Sequence, residues 1–195
     1  MKNIFSLFLF LVLALSMTSC LDFMAKKEGV AMDSNFTEIE INHQYGLTIP
    51  GYMRETTGLN SEASLQYQNV FNETYTIIID EPKEEFVQVF RELDQYREDI
   101  STIKNYRDVQ LQLMAERMNI ETEGKPIALK INGLEAEMVE LEGIVNGVDE
   151  NIFYLLTFVE GNEKVYLIMS WTTASQRDIY KRVFEGIAKS FRLVD

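Results

Sequence analysis

Apolar and polar positions change rhythm several times along the chain. Ile4 to Leu15 is an apolar run broken only by Ser6, and Ser16-Met17-Thr18-Ser19-Cys20 follows it. From Thr37 the pattern alternates. Thr37-Glu38-Ile39-Glu40-Ile41 and Tyr45-Gly46-Leu47-Thr48-Ile49 have the period of two expected of half-buried strands, the second stopped by Pro50-Gly51. Two more strands are predicted at residues 64–71 and 74–80. A helix is then expected to open near Pro82, because proline suits the first helical turn. Its apolar face is Phe86, Val89, Phe90, Leu93 and Tyr96, with Glu84, Glu85, Glu92 and Asp99 outside it. Residues 102–118 predict a second helix with a less regular pattern.

The rest of the chain reads mostly as strand. Residues 127–131 precede Asn132-Gly133, a strong turn dipeptide, and a strand over 134–145 follows. Residues 151–160 and 164–171 form a predicted hairpin around Gly161-Asn162. Both of these strands are apolar on their two faces, as in a sheet covered on both sides. A last helix starts with Ser175 and Asp178 in capping-box spacing and presents Ile179, Val183, Ile187 and Ala188. The fold class is α+β, a mainly antiparallel sheet sandwiched by helices.

One strand breaks the pattern. Its apolar positions are 134, 136 and 138, then 139, 141 and 145. Successive side chains of a strand alternate faces, so this phase change predicts a bulge or break in pairing between Met138 and Val139.

The N-terminal run has a different meaning. A basic start, a short apolar stretch and a small-residue region make a secretory signal over residues 1–19. Spanning a bilayer takes about 20 apolar residues, and this run falls short. Cys20 is the one cysteine, so it has no disulfide partner in the chain. Met17-Thr18-Ser19-Cys20 resembles a lipobox, with Met17 where leucine is usual. Cys20 is therefore the expected lipidation site, and the lipid its link to the membrane. Leu21 after the cysteine favours the outer membrane under the sorting rule of enteric bacteria. Residues 20–36 read as a lipidated tether carrying Lys26-Lys27, and 37–195 as the folded domain.

Charge narrows the partners. Lys2 is the one charge in the signal, so 17 basic and 31 acidic residues remain in the mature chain, a net charge of −14. Such a surface argues against nucleic acid, which needs a basic footprint, and against lying flat on anionic headgroups. It suits either a cationic partner or solubility alone.

The order of elements resembles the PsbP-like family, which includes bacterial envelope proteins of the DcrB type. The resemblance rests on Tyr45-Gly46-Leu47-Thr48-Ile49-Pro50-Gly51-Tyr52, on Ile131-Asn132-Gly133 before a long strand, and on Phe153-Tyr154 within the next. It also rests on Tyr180, Phe184 and Ile187 closed by Ser190-Phe191, and it covers residues 44–193. It implies an α/β/α sandwich serving as a binding or assembly module, with no catalytic residues and no cofactor to carry over.

Chemistry-bearing residues are few. His43 is the single histidine, and it would need a positioned carboxylate and hydroxyl to act as a general base. Histidine–cysteine metal sites are excluded by count. Oxygen donors cluster as Asp149, Glu150 and Asn151, and as Glu135, Glu137, Glu140 and Glu142, without EF-hand spacing. Trp171, the one tryptophan, is expected in the core; beside a cleft it would become a binding residue. The leading expectation is a non-enzymatic envelope lipoprotein that binds a protein partner. Carriage of a small ligand or cation, and hydrolysis, are the alternatives.

Overall fold

The computed structural model describes residues 35–194. The expected export signal, the expected lipidation site Cys20 and the part of the expected tether before Asn35 lie outside the described residues. The described chain opens with Phe36–Ile41 (β1), Tyr45–Pro50 (β2), Arg54–Glu55 (β3), Ala63–Asn69 (β4) and Thr74–Pro82 (β5). Two helices follow, Lys83–Glu92 (α1) and Thr102–Arg117 (α2). Then come Met118–Glu123 (β6), Ile127–Ile131 (β7), Leu134–Val145 (β8), Asn151–Glu160 (β9) and Lys164–Thr173 (β10). Arg177–Lys189 (α3) and Arg192–Leu193 (β11) close the fold.

The larger sheet has eight strands in the order β3-β4-β5-β10-β9-β8-β6, with β7 also paired to β8. Every pairing is antiparallel. A second sheet, β1-β2-β11, has three strands. β9 and β10 sit at the centre of the large sheet and are buried on both faces, as their doubly apolar sequences require. On one face, Phe86 of α1 and Ile103 and Tyr106 of α2 pack on Val139, Leu141, Leu156, Phe158, Val165 and Leu167. On the other, α3 contributes the buried Tyr180, Phe184 and Ile187, and β2 contributes Tyr45, Leu47 and Ile49. Tyr45 stacks on Phe191 at 5.4 Å and meets Tyr166 edge-on at 5.6 Å, which ties the small sheet to the large one. Each such side chain contributes roughly 1.5–3 kcal/mol of burial. Among the described residues, no helix is long and apolar enough to cross a membrane.

Several expectations need correction. β4 ends at Asn69, so Val70 and Phe71 belong to a turn and are exposed. In α1, Phe86 is buried and Phe90 and Tyr96 pack on the core, but Val89 and Leu93 face solvent. The chain turns sharply after Leu93, with Asp94 at φ 56° and the Gln95 and Tyr96 amides both donating to the Phe90 carbonyl. Ile179 is likewise exposed. No capping box forms at α3, because Gln176 is the N-cap and the Ser175 hydroxyl bonds to Thr173 at 3.2 Å. β6 was not foreseen, its six residues offering only Met118 and Ile120 as apolar positions.

The predicted break in β8 is also corrected. The ladder to β9 runs without interruption from Ala136↔Val159 to Leu141↔Tyr154. The irregularity lies in the strand opposite. β7 pairs with β8 up to Met138, and β6 takes over from Leu141, with Gly124-Lys125-Pro126 between them. Proline at such a break blunts a sheet edge, because it offers no amide for further pairing. The phase change in β8 comes instead from Glu137, buried on the same face as Val139 and Leu141 under α2.

Candidate binding surface

The sequence-predicted polar residues do not converge. His43 stands in the β1–β2 turn with its side chain 93% exposed, and its Nδ1 lies 2.8 Å from Glu40 Oε1. The four glutamates of β8 are divided between faces, and each is matched by a cation. Glu135 pairs with Lys130 at 2.8 Å, and Glu137 pairs with Arg107 of α2. Glu140 binds Arg177 and Lys181 of α3, both at 2.6 Å, and Arg177 also reaches Glu142 at 4.0 Å. Burial alone would raise the Glu140 carboxyl, but the hydrogen bonds from Lys181 and Arg177 outweigh it and hold it below the ordinary range. At the start of β9, the Asn151 side-chain amide donates to Glu121 at 2.8 Å. Among the described residues, no three His, Cys, Asp or Glu side chains are grouped to hold a metal ion.

Trp171 packs against the core, as expected, but at its margin. It is half-buried and lines a cleft of about 360 Å³ with Tyr75, Tyr154, Ile152, Val145 and Val148. Register builds this site. Trp171 is paired with Tyr75 of β5 on one side and with Tyr154 of β9 on the other, so the three rings form one row on the α1/α2 face. Tyr75 and Trp171 stack at 5.1 Å with ring planes 12° apart, and Tyr154 follows at 6.0 Å and 30°. Burial raises the Tyr154 hydroxyl to about 12.

The row is open because α1 starts at Lys83, beyond the opposite end of β5, and covers Phe158, Val165 and Leu167 instead. Glu73 and Glu150 stand at the cleft, and Val148 beside them is 41% exposed. An aromatic floor bordered by carboxylates attracts cations through both ring quadrupole and charge. Neither tyrosine stood out in the sequence. The Gly161-Asn162 turn signals that β9 pairs with β10, but the observed register, Glu160 with Val165, is centred on Asn162-Glu163, and that register sets Tyr154 opposite Trp171.

No family model matches the chain, and no curated protein matches it in sequence. Its fold does have counterparts. The solution structure of cyanobacterial PsbP (CyanoP) from Synechocystis sp. PCC 6803 superposes with a TM-score of 0.56 at 13% identity, covering 85% of this chain and 95% of that one. The fold is PsbP-like. Looser likenesses to this PsbP-like domain include the Saccharomyces cerevisiae Ran-binding protein Mog1p, with a TM-score of 0.47, 9% identity and coverage of 83% and 97%. LpqN, involved in cell envelope biogenesis of Mycobacterium tuberculosis, has a TM-score of 0.46, 10% identity and coverage of 84% and 92%.

Proposed function

We propose that the chain is a bacterial envelope lipoprotein, anchored through lipid on Cys20 at the outer membrane, whose PsbP-like domain is a non-catalytic docking module. The open row Tyr75–Trp171–Tyr154 carries this reading. Tyr75 and Trp171 are half-buried beside the buried Tyr154, and aromatic side chains of this kind next to a cleft are frequent anchors of a protein interface. The acidic chain and the rim carboxylates Glu73 and Glu150 favour a partner segment that lays a basic side chain on the rings. Residues 1–19 would be removed on export, and residues 20–36 would tether the domain.

Two measurements test the two parts separately. Mass spectrometry of the mature N-terminal peptide should find Cys20 carrying diacylglycerol, and Cys20→Ala should leave soluble protein or uncleaved precursor. A Cys20→Ala chain that keeps a mature lipid anchor would end the lipoprotein reading. For docking, a photocrosslinking amino acid at Val148 should capture a defined envelope protein in intact cells. Trp171→Ala should abolish that product. A yield at Val148 no higher than at Asn162, in the turn at the other end of the sheet, would remove the shelf as the docking site.

A further inference from the structure

The β4–β5 turn carries two apolar side chains that the fold leaves in solvent. Phe71 is 99% exposed and Val70 is 61% exposed. The turn is nevertheless tightly held. Asn69 accepts the Asn72 amide on Oδ1 at 2.9 Å and donates from Nδ2 to the Tyr52 carbonyl at 2.8 Å. Glu73 closes the turn at φ 50°, accepting a hydrogen bond from Gln176 at 2.9 Å. Isolated exposed apolar residues are ordinary on protein surfaces. These two have company.

Tyr52, which receives the Asn69 bond, follows Gly51, and the Gly51 amide donates to the Asn35 carbonyl at 2.7 Å. Asn35 is the first described residue, so the described chain begins beside the hairpin tip. Phe36, next in the chain, is 45% exposed. Three exposed apolar residues thus lie close in the hydrogen-bond network to the start of the described chain, Phe36 next to Asn35 and Val70-Phe71 next to Asn69. The 15 residues from Cys20 to Asn35 reach at most about 50 Å even when fully extended. The tip is therefore never far from an anchored lipid, and such confinement makes a contact too weak for recruitment sufficient for orientation. Asn69-Val70-Phe71-Asn72 is also uncharged in a strongly acidic chain, so it meets lipid headgroups without the repulsion the rest of the surface would face.

We infer that the β4–β5 turn is the face on which the domain rests on its own membrane, with Val70 and Phe71 entering the interfacial layer and Phe36 beside them. The inference rests on the lipid anchor proposed above. An aromatic ring on a rigid turn suits that layer, where one side meets hydrocarbon and the other water. Glu73 borders the aromatic cleft two residues later, so a partner on the shelf would lie close to the bilayer surface.

The test uses the full lipidated protein in phosphatidylcholine vesicles. Cys20 is blocked by its lipid, so Asn72→Cys offers one free thiol for an environment-sensitive fluorophore, and Asn162→Cys serves as the far-end control. The label at position 72 should shift to the blue and lose at least half its emission to spin-labelled lipid, while the label at 162 is unaffected. Adding Val70→Ser and Phe71→Ser should abolish the quenching while the protein still floats with the vesicles. Floating protein with an unquenched label at position 72 would overturn the orientation and leave the lipoprotein reading intact. Quenching that persists in the serine variant would overturn the apolar contact. An N-terminal peptide without lipid would defeat the anchor and this inference together.

Discussion

Arg107 of α2 donates to the Glu137 carboxylate of β8 inside the layer between helix and sheet, with side chains 13% and 5% exposed. Arg107 is held in turn by Asp108, whose Oδ1 accepts from Nε at 2.7 Å. Removing one member strands a buried charge, at a cost of about 3–5 kcal/mol, whereas replacing both with apolar groups is often neutral or better. Glu137→Leu and Arg107→Met should each lower the urea midpoint strongly. The double variant should recover most of the loss. Additive single effects would show that the two side chains are not coupled.

The same pair explains what the sequence could and could not tell. Nearly every long strand and helix was readable, because period and turn dipeptides are local. β9 and β10 even announced a sheet covered on both sides. The pattern of β8 misleads because nothing local marks Glu137 as a buried residue, and Arg107, which makes its burial possible, lies thirty positions away. β6 was missed for a related reason: as an edge strand it buries little, so it carries little pattern. The aromatic shelf depends on register across three strands, and the Gly161-Asn162 turn pairs β9 with β10 without fixing which residues face each other.

Glu140 gives the domain an acid-sensitive contact. Its pKa is held below the ordinary 4.5 by Lys181 and Arg177, against the opposing effect of burial. The stability it adds is present above the ordinary value and is lost as pH falls through the lowered one. Glu140→Gln should therefore be less stable than the parent at pH 7, with the gap closing in acid. Glu81 has the opposite sign. Burial raises its pKa, and the hydrogen bond from Tyr106 at 2.8 Å only partly offsets this. Its contribution is present below the ordinary value and lost as pH rises through the raised one, so Glu81→Gln should gain on the parent from acid to neutral pH. Urea titrations across pH would expose either sign error.

Gly143 lets the edge strand approach. A Cβ placed there would stand 2.2 Å from the Asn119 carbonyl oxygen and 2.9 Å from Met118 Cε. The first contact is with backbone and cannot be relieved by a rotamer change. Gly143→Ala should push β6 away from β8 and cost about 1–3 kcal/mol, as overpacking does. Hydrogen exchange should locate the loss, with faster exchange in Met118–Glu123 and little change in β9 and β10. Equal acceleration across the sheet would mean that β6 is not an independently loosened edge.

Buried hydroxyls offer the reverse case. Thr157, at the centre of β9, is fully buried, and its Oγ1 has no hydrogen-bond partner among the described residues. Threonine there carries the desolvation cost of a hydroxyl without return, and valine keeps the branched shape that suits a strand. Thr157→Val should raise stability by about 1 kcal/mol. In a domain of this size that is a rise in Tm of about 2–4 °C. Thr76, equally buried, is the internal control: its Oγ1 lies 2.9 Å from Ser170 Oγ. Thr76→Val would leave the serine hydroxyl unpaired and should lower Tm instead. If both valines moved Tm the same way, side-chain shape rather than hydrogen-bond satisfaction would govern this layer.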